Sequence, residues 1–310
     1  MLNSSFIMAL AVSTIRMATP ITIGALGTLF AEQSGTMNLG AEGMMTMGAF
    51  FAVLGTYLTG NAWIGVLCGM IAGGLIALLH GFICIEIGGM QNLSGLGLNM
   101  FCLGLTAFLL RVIFNTGISP SVESLWSTPF LEKVPFIGKF MAAMSPLVYI
   151  SFLLIAIVWF ILNKTPFGLR IWAAGDDPKT LETAGINVWK IRYLCIVICG
   201  VLVGLGGAYL SLGQMDKYVD GMIVGKGMLA FVAVKMGKYK PWSILLMSLV
   251  FGFFDALQMQ LQLNPAITIA PELIQMIPYV GAITIMALQK NENIFPRAFG
   301  EPYVKNKYKF

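Results

Sequence analysis

The sequence predicts an all-α, polytopic transmembrane helical bundle of about 8–10 spans, some of them short or broken. Three observations predict it. Of the 310 residues, 57% are hydrophobic and only 11% charged, whereas soluble domains carry about 25% charged residues. Apolar runs recur at bilayer length: Ala143–Leu162 has no charge over 20 residues and Tyr193–Met215 none over 23, against the ~20 that a crossing helix needs. The charges that remain are gathered, with Lys and Arg concentrated at 164–192, 235–240 and 290–309, as in loops on one membrane face. That placement makes the net charge of +5 a matter of topology, with no nucleic-acid partner implied. Residues 1–310 read as a single transmembrane unit.

The elements follow in order. The first apolar run, 6–30, has no basic region before it and no small-residue cleavage pattern after it, so it reads as a retained helix. Spans follow at 39–58, 62–87 and 94–113. The stretch "EQSGTMNLGAEG" (32–43) is polar and Gly-rich enough to form a broken or re-entrant piece. Residues 114–142 form the longest external loop, rich in Ser and Pro, with Trp126 and Phe130 expected at the outer interface. Spans 143–162 and 193–214 flank a charged loop at 163–192. A short span at 222–236, a span at 241–262 opened by Pro241, and one at 271–289 complete the chain. Counting back from the basic tail (Lys290, Arg297, Lys305, Lys307, Lys309) puts the tail, 235–240 and 164–192 in the cytoplasm. Nine crossings then leave the N-terminus outside.

The loop Thr165–Arg192 is patterned to fold. Asp176 or Asp177 can cap a short helix that has Pro178 in its first turn, and Gly185 can end it. A short helix on the face of a polytopic protein is suited to being pushed by a partner, although a merely stabilising amphipathic loop would look similar. Polar groups at membrane depth are costly and commonly line a cavity, and four clusters stand out. They are Asn38 and Glu42 in 32–43; Asn92, Ser94 and Asn99 in "QNLSGLGLN"; Asp255 and Gln258 with Gln262 at i, i+3, i+7; and Lys226 between two glycines. Asn38 and Glu42 lie one helical turn apart. Asn92 and Asn99 are two turns apart on one face. Each cluster could instead be an internal brace; four together favour a polar pathway through Asn38, Glu42, Asn92, Ser94, Asn99, Asp255 and Gln258.

Other features read as packing. Gly69, Gly73, Gly74, Gly200, Gly204, Gly206 and Gly207 let helices approach closely. The five cysteines lie in apolar segments, and His80 has no partner set for a metal or for catalysis. No "GxSxG", "HExxH" or His/Cys metal spacing is present. The nearest phosphate-loop candidate, "GMIVGKG" (221–227), has the wrong spacing and lacks Ser or Thr after its Lys. The chain is therefore expected to be no enzyme, to need no cofactor or metal, and not to hydrolyse ATP itself.

Four segments resemble a known family: the permease subunits of bacterial ABC importers for simple sugars and nucleosides, in the ribose and branched-chain amino acid permease superfamily. They are "RMATPITIGALGTLFAEQSGTMNLGAEGMMTMGAF" (16–50), "LSGLGLNMFCLGLTAFLLR" (93–111), "TPFGLRIWAAGDDPKTLETAGINVWKIR" (165–192), and "PYVGAITIMAL" (278–288) with "FGEPY" (299–303). Two departures are visible: Gln33 stands where the family has Arg or Lys, and Ala173-Ala174-Gly175-Asp176 replaces Ala-Val-Gly-Glu. The resemblance implies a multi-pass protein of the bacterial plasma (inner) membrane, with its C-terminus cytoplasmic. It implies a separate ABC ATPase subunit, a second permease and an extracytoplasmic substrate-binding lipoprotein as partners, besides membrane lipid. The helix expected over 176–187 would then couple to the ATPase through Gly175, Asp176, Asp177, Pro178, Glu182, Ala184, Gly185, Ile186 and Asn187. The nearest branch resembles the shorter permease of nucleoside importers, so the expected cargo is a small, polar, uncharged nucleoside. A simple-sugar permease is the alternative, and an ATPase-independent transporter or channel a more distant one.

Overall fold

A computed structural model describes residues 4–127, 142–262, 270–288 and 295–303. Among them every regular element is a helix, apart from one isolated bridge between Ile118 and Val219. The helices are α1 (Ser4–Gln33), α2 (Ala41–Thr59), α3 (Ala62–Gly81), α4 (Gln91–Phe114), α5 (Pro146–Lys164) and α6 (Pro166–Asp176). They continue as α7 (Pro178–Thr183), α8 (Val188–Ala208), α9 (Lys226–Met236), α10 (Pro241–Gln262), α11 (Pro271–Gln275) and α12 (Ile277–Leu288). π-helical turns extend α3 through Phe82–Glu86 and α8 through Tyr209–Gln214.

Six helices among the described residues are long and apolar enough to cross a bilayer: α1, α3, α4, α5, α8 and α10, with the extensions of α3 and α8 included. The protein is multi-pass. The other three expected spans depart from regular crossings. Residues 39–58 become α2, a 19-residue helix that is buried over much of its length and carries Glu42. Residues 222–236 yield only the 11-residue α9. Residues 271–289 split into helices of 5 and 12 residues. The segment 128–141, Phe130 and the tail lysines Lys290, Lys305, Lys307 and Lys309 lie outside the described residues.

Glycine holds the centre together. α8 is 78% buried across its apolar window, against 22% for α4, so α8 is the axial helix and α4 a peripheral one. A Cβ on Gly204 would stand 2.5 Å from the Gly69 carbonyl oxygen, and one on Gly48 would stand 2.5 Å from that of Gly204. α2, α3 and α8 thus meet backbone to backbone. Dispersion supplies the attraction, because apolar side chains gain little by leaving lipid for protein. Outward, Leu67, Ile71 and Leu75 on α3 and Met100, Phe108 and Val112 on α4 are exposed. On α3 the four-residue spacing aligns Leu67, Ile71 and Leu75 as one apolar stripe on the outside of the bundle.

Long-range hydrogen bonds sort the loops onto two ends. At one end Gln33 Nε2 donates to Tyr239 O (3.3 Å), Met37 N to Gln91 Oε1 (2.6 Å) and Ala298 N to Gly175 O (2.9 Å). That end gathers the described residues of all three basic clusters. At the other end the chain after α4 lies along the chain after α8: Ser119 N donates to Tyr218 O and Leu125 N to Leu212 O, at 2.9 and 2.7 Å. Trp126 is exposed there.

Candidate functional site

The basic end carries a two-helix platform. Thr165 caps α6, its hydroxyl accepting from Gly168 N at 3.3 Å with Pro166 as the first helical residue. Asp177, set before Pro178, cannot easily stay helical. It takes φ −143° and ψ 83° and becomes the cap of α7, with Oδ1 accepting from Thr180 N at 3.2 Å. The Thr180 hydroxyl donates to Asp177 Oδ2 at 2.6 Å. That hydroxyl, helped by the Thr180 amide, holds the Asp177 carboxyl below the usual carboxylate range. The cap therefore stays ionised at neutral pH and is lost only as pH falls through that lowered value. Gly185 closes α7 in the left-handed region (φ 80°), and Asn187 caps α8 by accepting from Lys190 N at 3.2 Å.

The helix expected over 176–187 is thus shorter than predicted. Only Pro178–Thr183 is helical, and a separate helix, α6, precedes it. The Asp-Pro step breaks the run at one end and Gly185 at the other. Within α7, Leu181 is the buried anchor. Asp176, Asp177, Lys179, Thr180, Thr183, Ala184, Gly185 and Asn187 are exposed; Pro178, Glu182 and Ile186 are half-buried.

This platform leans on a break between α1 and α2. A Cβ on Gly175 would strike the Gln33 carbonyl oxygen, and one on Gly35 (φ 86°) would come 3.2 Å from Gly175 Cα. Residues 34–40 leave the helix while buried or half-buried, so their backbone needs partners within the protein. Gln91 Oε1 accepts from Met37 N, and Asn38 Oδ1 accepts from Gly40 N at 3.0 Å. Asn38 is therefore not on a helix with Glu42, and the expected one-turn spacing of that pair does not exist. Its amide lies against Cys199 Sγ at 3.1 Å. Asn99 braces the same joint, accepting from Gly43 N at 2.7 Å and donating to Leu39 O at 2.9 Å. Ser94 lies 2.9 Å from His80 Nδ1, and His80 Nε2 lies 3.1 Å from Met37 O. Asn92 is exposed at the basic end, in a hollow shared with Phe299 and Pro302.

Glu42 faces the start of α9. Its two carboxylate oxygens accept from Gly225 N (2.7 Å) and Gly227 N (2.8 Å), filling the cap of a helix whose N-terminus attracts negative charge. Beyond it opens a cavity of about 510 Å³, lined among others by Met17, Lys226, Asp255, Gln258, Gln262 and Tyr279. Of the seven pathway candidates, the structure brings Asp255 and Gln258 to this cavity. It holds Glu42 one residue behind Lys226, and it uses Asn38, Ser94 and Asn99 in hydrogen bonds around the break. Replacing Glu42 by Ala would leave two donors unpaired, at about 1–3 kcal/mol each. Thermal unfolding in detergent should then begin well below that of the parent, with Glu42→Gln in between. An unchanged midpoint for Glu42→Ala would remove Glu42 as the α9 cap.

Sequence reasoning missed two partners. Gln91 had no periodic signal. Arg192 reads as one more loop charge, yet it is 2% exposed and its guanidinium donates to Glu301 O at 2.9 Å and Ala174 O at 3.4 Å.

The family described as "Branched-chain amino acid transport system / permease component" matches residues 10–288. The guanosine ABC transporter permease protein NupQ of Bacillus subtilis is 37% identical over 95% of this chain and 96% of its own length. The nucleoside ABC transporter permease protein NupC of Lactococcus lactis is 33% identical over 94% and 95%. The putative glucose ABC transporter permease protein TsgC13 of Haloferax volcanii is 33% identical over 91% and 92%. A continuous family match spanning the platform, the buried break and the cavity leaves one assignment: this chain belongs to the branched-chain amino acid transport system permease family.

Proposed function

We propose that the chain is the permease subunit of an ATP-driven ABC importer that carries nucleosides across the bacterial plasma membrane. The observation that carries this reading is the platform: a capped two-helix element with an exposed outer face, seated directly on the break between α1 and α2. Under the positive-inside bias, the end rich in Lys and Arg is cytoplasmic, with α7 offered to an ATPase subunit and the C-terminus on the same side. The chain is a transport component, and hydrolysis belongs to the ATPase. A second, different permease and an external binding lipoprotein complete the assembly; B. subtilis has a further guanosine ABC transporter permease protein, NupP, 27% identical over 77% of this chain. Asp255 and Gln258, with Lys226 beside them, border the path. Amide and ionic groups there suit a neutral polar solute, which hydrogen bonds hold without a matching charge.

Nucleoside cargo rests on likeness to NupQ and NupC across nearly the whole chain. The likeness to TsgC13 keeps a simple sugar as the second reading. Co-expression with a second permease, an ABC ATPase and a binding lipoprotein of a nucleoside importer should yield a complex that co-purifies with the ATPase and hydrolyses ATP faster when loaded receptor and nucleoside are added. Purification of this chain free of any ATPase would overturn the reading.

A further inference from the structure

We propose that residues Phe295–Tyr303 form a strut that carries movement of the platform to the cavity, a role that rests on the importer reading above. The segment is pinned to the platform at three points. Arg297 N donates to Asp176 Oδ1 at 3.2 Å, Ala298 N to Gly175 O at 2.9 Å, and the Tyr303 hydroxyl to the Glu182 carboxylate. Burial, reinforced by that carboxylate, pushes the Tyr303 hydroxyl up to about 12, so it remains a donor at every physiological pH. Two further bonds hold the strut to α8: Arg192 Nη1 reaches Glu301 O, and Trp189 Nε1 reaches Tyr303 O at 3.2 Å.

The other side of the strut grips the two elements that lead inward. Gly300 N donates to Gly35 O at 3.0 Å, at the break between α1 and α2. Phe295 and Phe299 close on the ammonium of Lys235, near the end of α9, with ring centroids 4.8 and 4.5 Å from Nζ. Phe231 completes the cage at 4.2 Å, and the Glu32 carboxylate lies 3.4 Å away at the end of α1. A half-buried cation enclosed by rings, with a carboxylate beside it, is held more firmly than an exposed one. From Gly35 the chain runs through the break to Glu42; from Lys235 it runs back along α9 to Gly225 and Gly227. Those two routes rejoin where Glu42 accepts both glycine amides, beside Lys226 at the cavity wall. One displacement of the platform is therefore delivered to both halves of the Glu42 junction. The platform also meets α1 directly at the Gly175–Gln33 approach and α8 through Arg192 and the Ala174 carbonyl; the strut adds the route to α9.

The test uses the assembled complex with a reporter thiol, Gln258→Cys, in a chain whose native cysteines are replaced by alanine. The parent's labelling by a water-soluble maleimide should change when ATP is trapped. Phe295→Ala with Phe299→Ala should still co-purify with the ATPase and hydrolyse ATP at the basal rate. Its labelling response should vanish, and receptor-stimulated hydrolysis should fall about 5-fold or more, the size of a typical coupling between sites. Lys235→Arg should keep the response, because a guanidinium also stacks on rings, and Lys235→Gln should lose it. Tyr303→Phe removes one hydroxyl and serves if the double variant does not fold; it should reduce the response. A parental response in the folded Phe variant, or in Tyr303→Phe if that variant stands in, overturns the strut. A parent complex that binds no ATPase overturns the importer reading, and the strut with it.

Discussion

Gly73→Val should abolish accumulation of folded permease in the membrane. A Cβ at Gly73 would collide with the Gly200 carbonyl oxygen and stand 2.8 Å from Gly204 Cα. Both obstacles are backbone of α8, the most buried spanning helix, so no rotamer change can make room. Overpacking a core typically costs about 1–3 kcal/mol; here a branched side chain must force α3 and α8 apart, against a total stability of about 5–15 kcal/mol. Gly104→Ala is the control, since nothing lies within 4 Å of its Cβ, and an alanine in a helix interior should add about 0.5–1 kcal/mol. Size-exclusion profiles and thermal unfolding of the two variants give the comparison. A monodisperse, stable Gly73→Val protein would contradict the close crossing of α3 and α8.

Gly185→Val and Glu182→Lys should each insert normally and lose receptor-stimulated ATP hydrolysis. Gly185 needs a positive φ, which a β-branched residue resists at about 1–2 kcal/mol, but its Cβ would meet nothing within 4 Å. The valine would therefore alter the exposed outer face of α7 without disturbing the bundle. Gly185→Asn tolerates the same φ and should retain more coupling than valine. Glu182→Lys reverses the charge on that face and removes the acceptor of the Tyr303 hydroxyl. ATPase assays of the assembled complex, with expression and co-purification as controls, separate coupling from folding. Parental stimulation in both Gly185→Val and Glu182→Lys would sink the assignment of α7 as the coupling element.

Much of this was legible in the sequence because each signal was local. Asp177-Pro178 and Gly185 bracket α7 through backbone preferences that any neighbour must respect. Uncharged runs such as Tyr193–Met215 declare a crossing by length alone. The glycines at 69, 73, 200 and 204 announced close packing, although not which pairs meet. What could not be read depended on chain segments far apart in sequence. Asn99 reads as a pathway residue by spacing, yet the structure commits both ends of its amide to Gly43 N and Leu39 O. Arg192 looks like a loop charge until the carbonyls of Glu301 and Ala174 close over it. Asp255 and Gln258 did reach one cavity, because i, i+3 spacing on a single unbroken helix survives folding intact.

Uptake measures the proposed ATP-driven path for nucleosides directly. The permease, its partner permease, the ATPase and the receptor are reconstituted in liposomes with ATP on the ATPase side, and entry of radiolabelled guanosine is followed. The expected result is accumulation that needs ATP, that excess unlabelled nucleoside suppresses, and that ribose and galactose leave unchanged. Accumulation independent of ATP, or suppression by the sugars with no nucleoside entry, would contradict it.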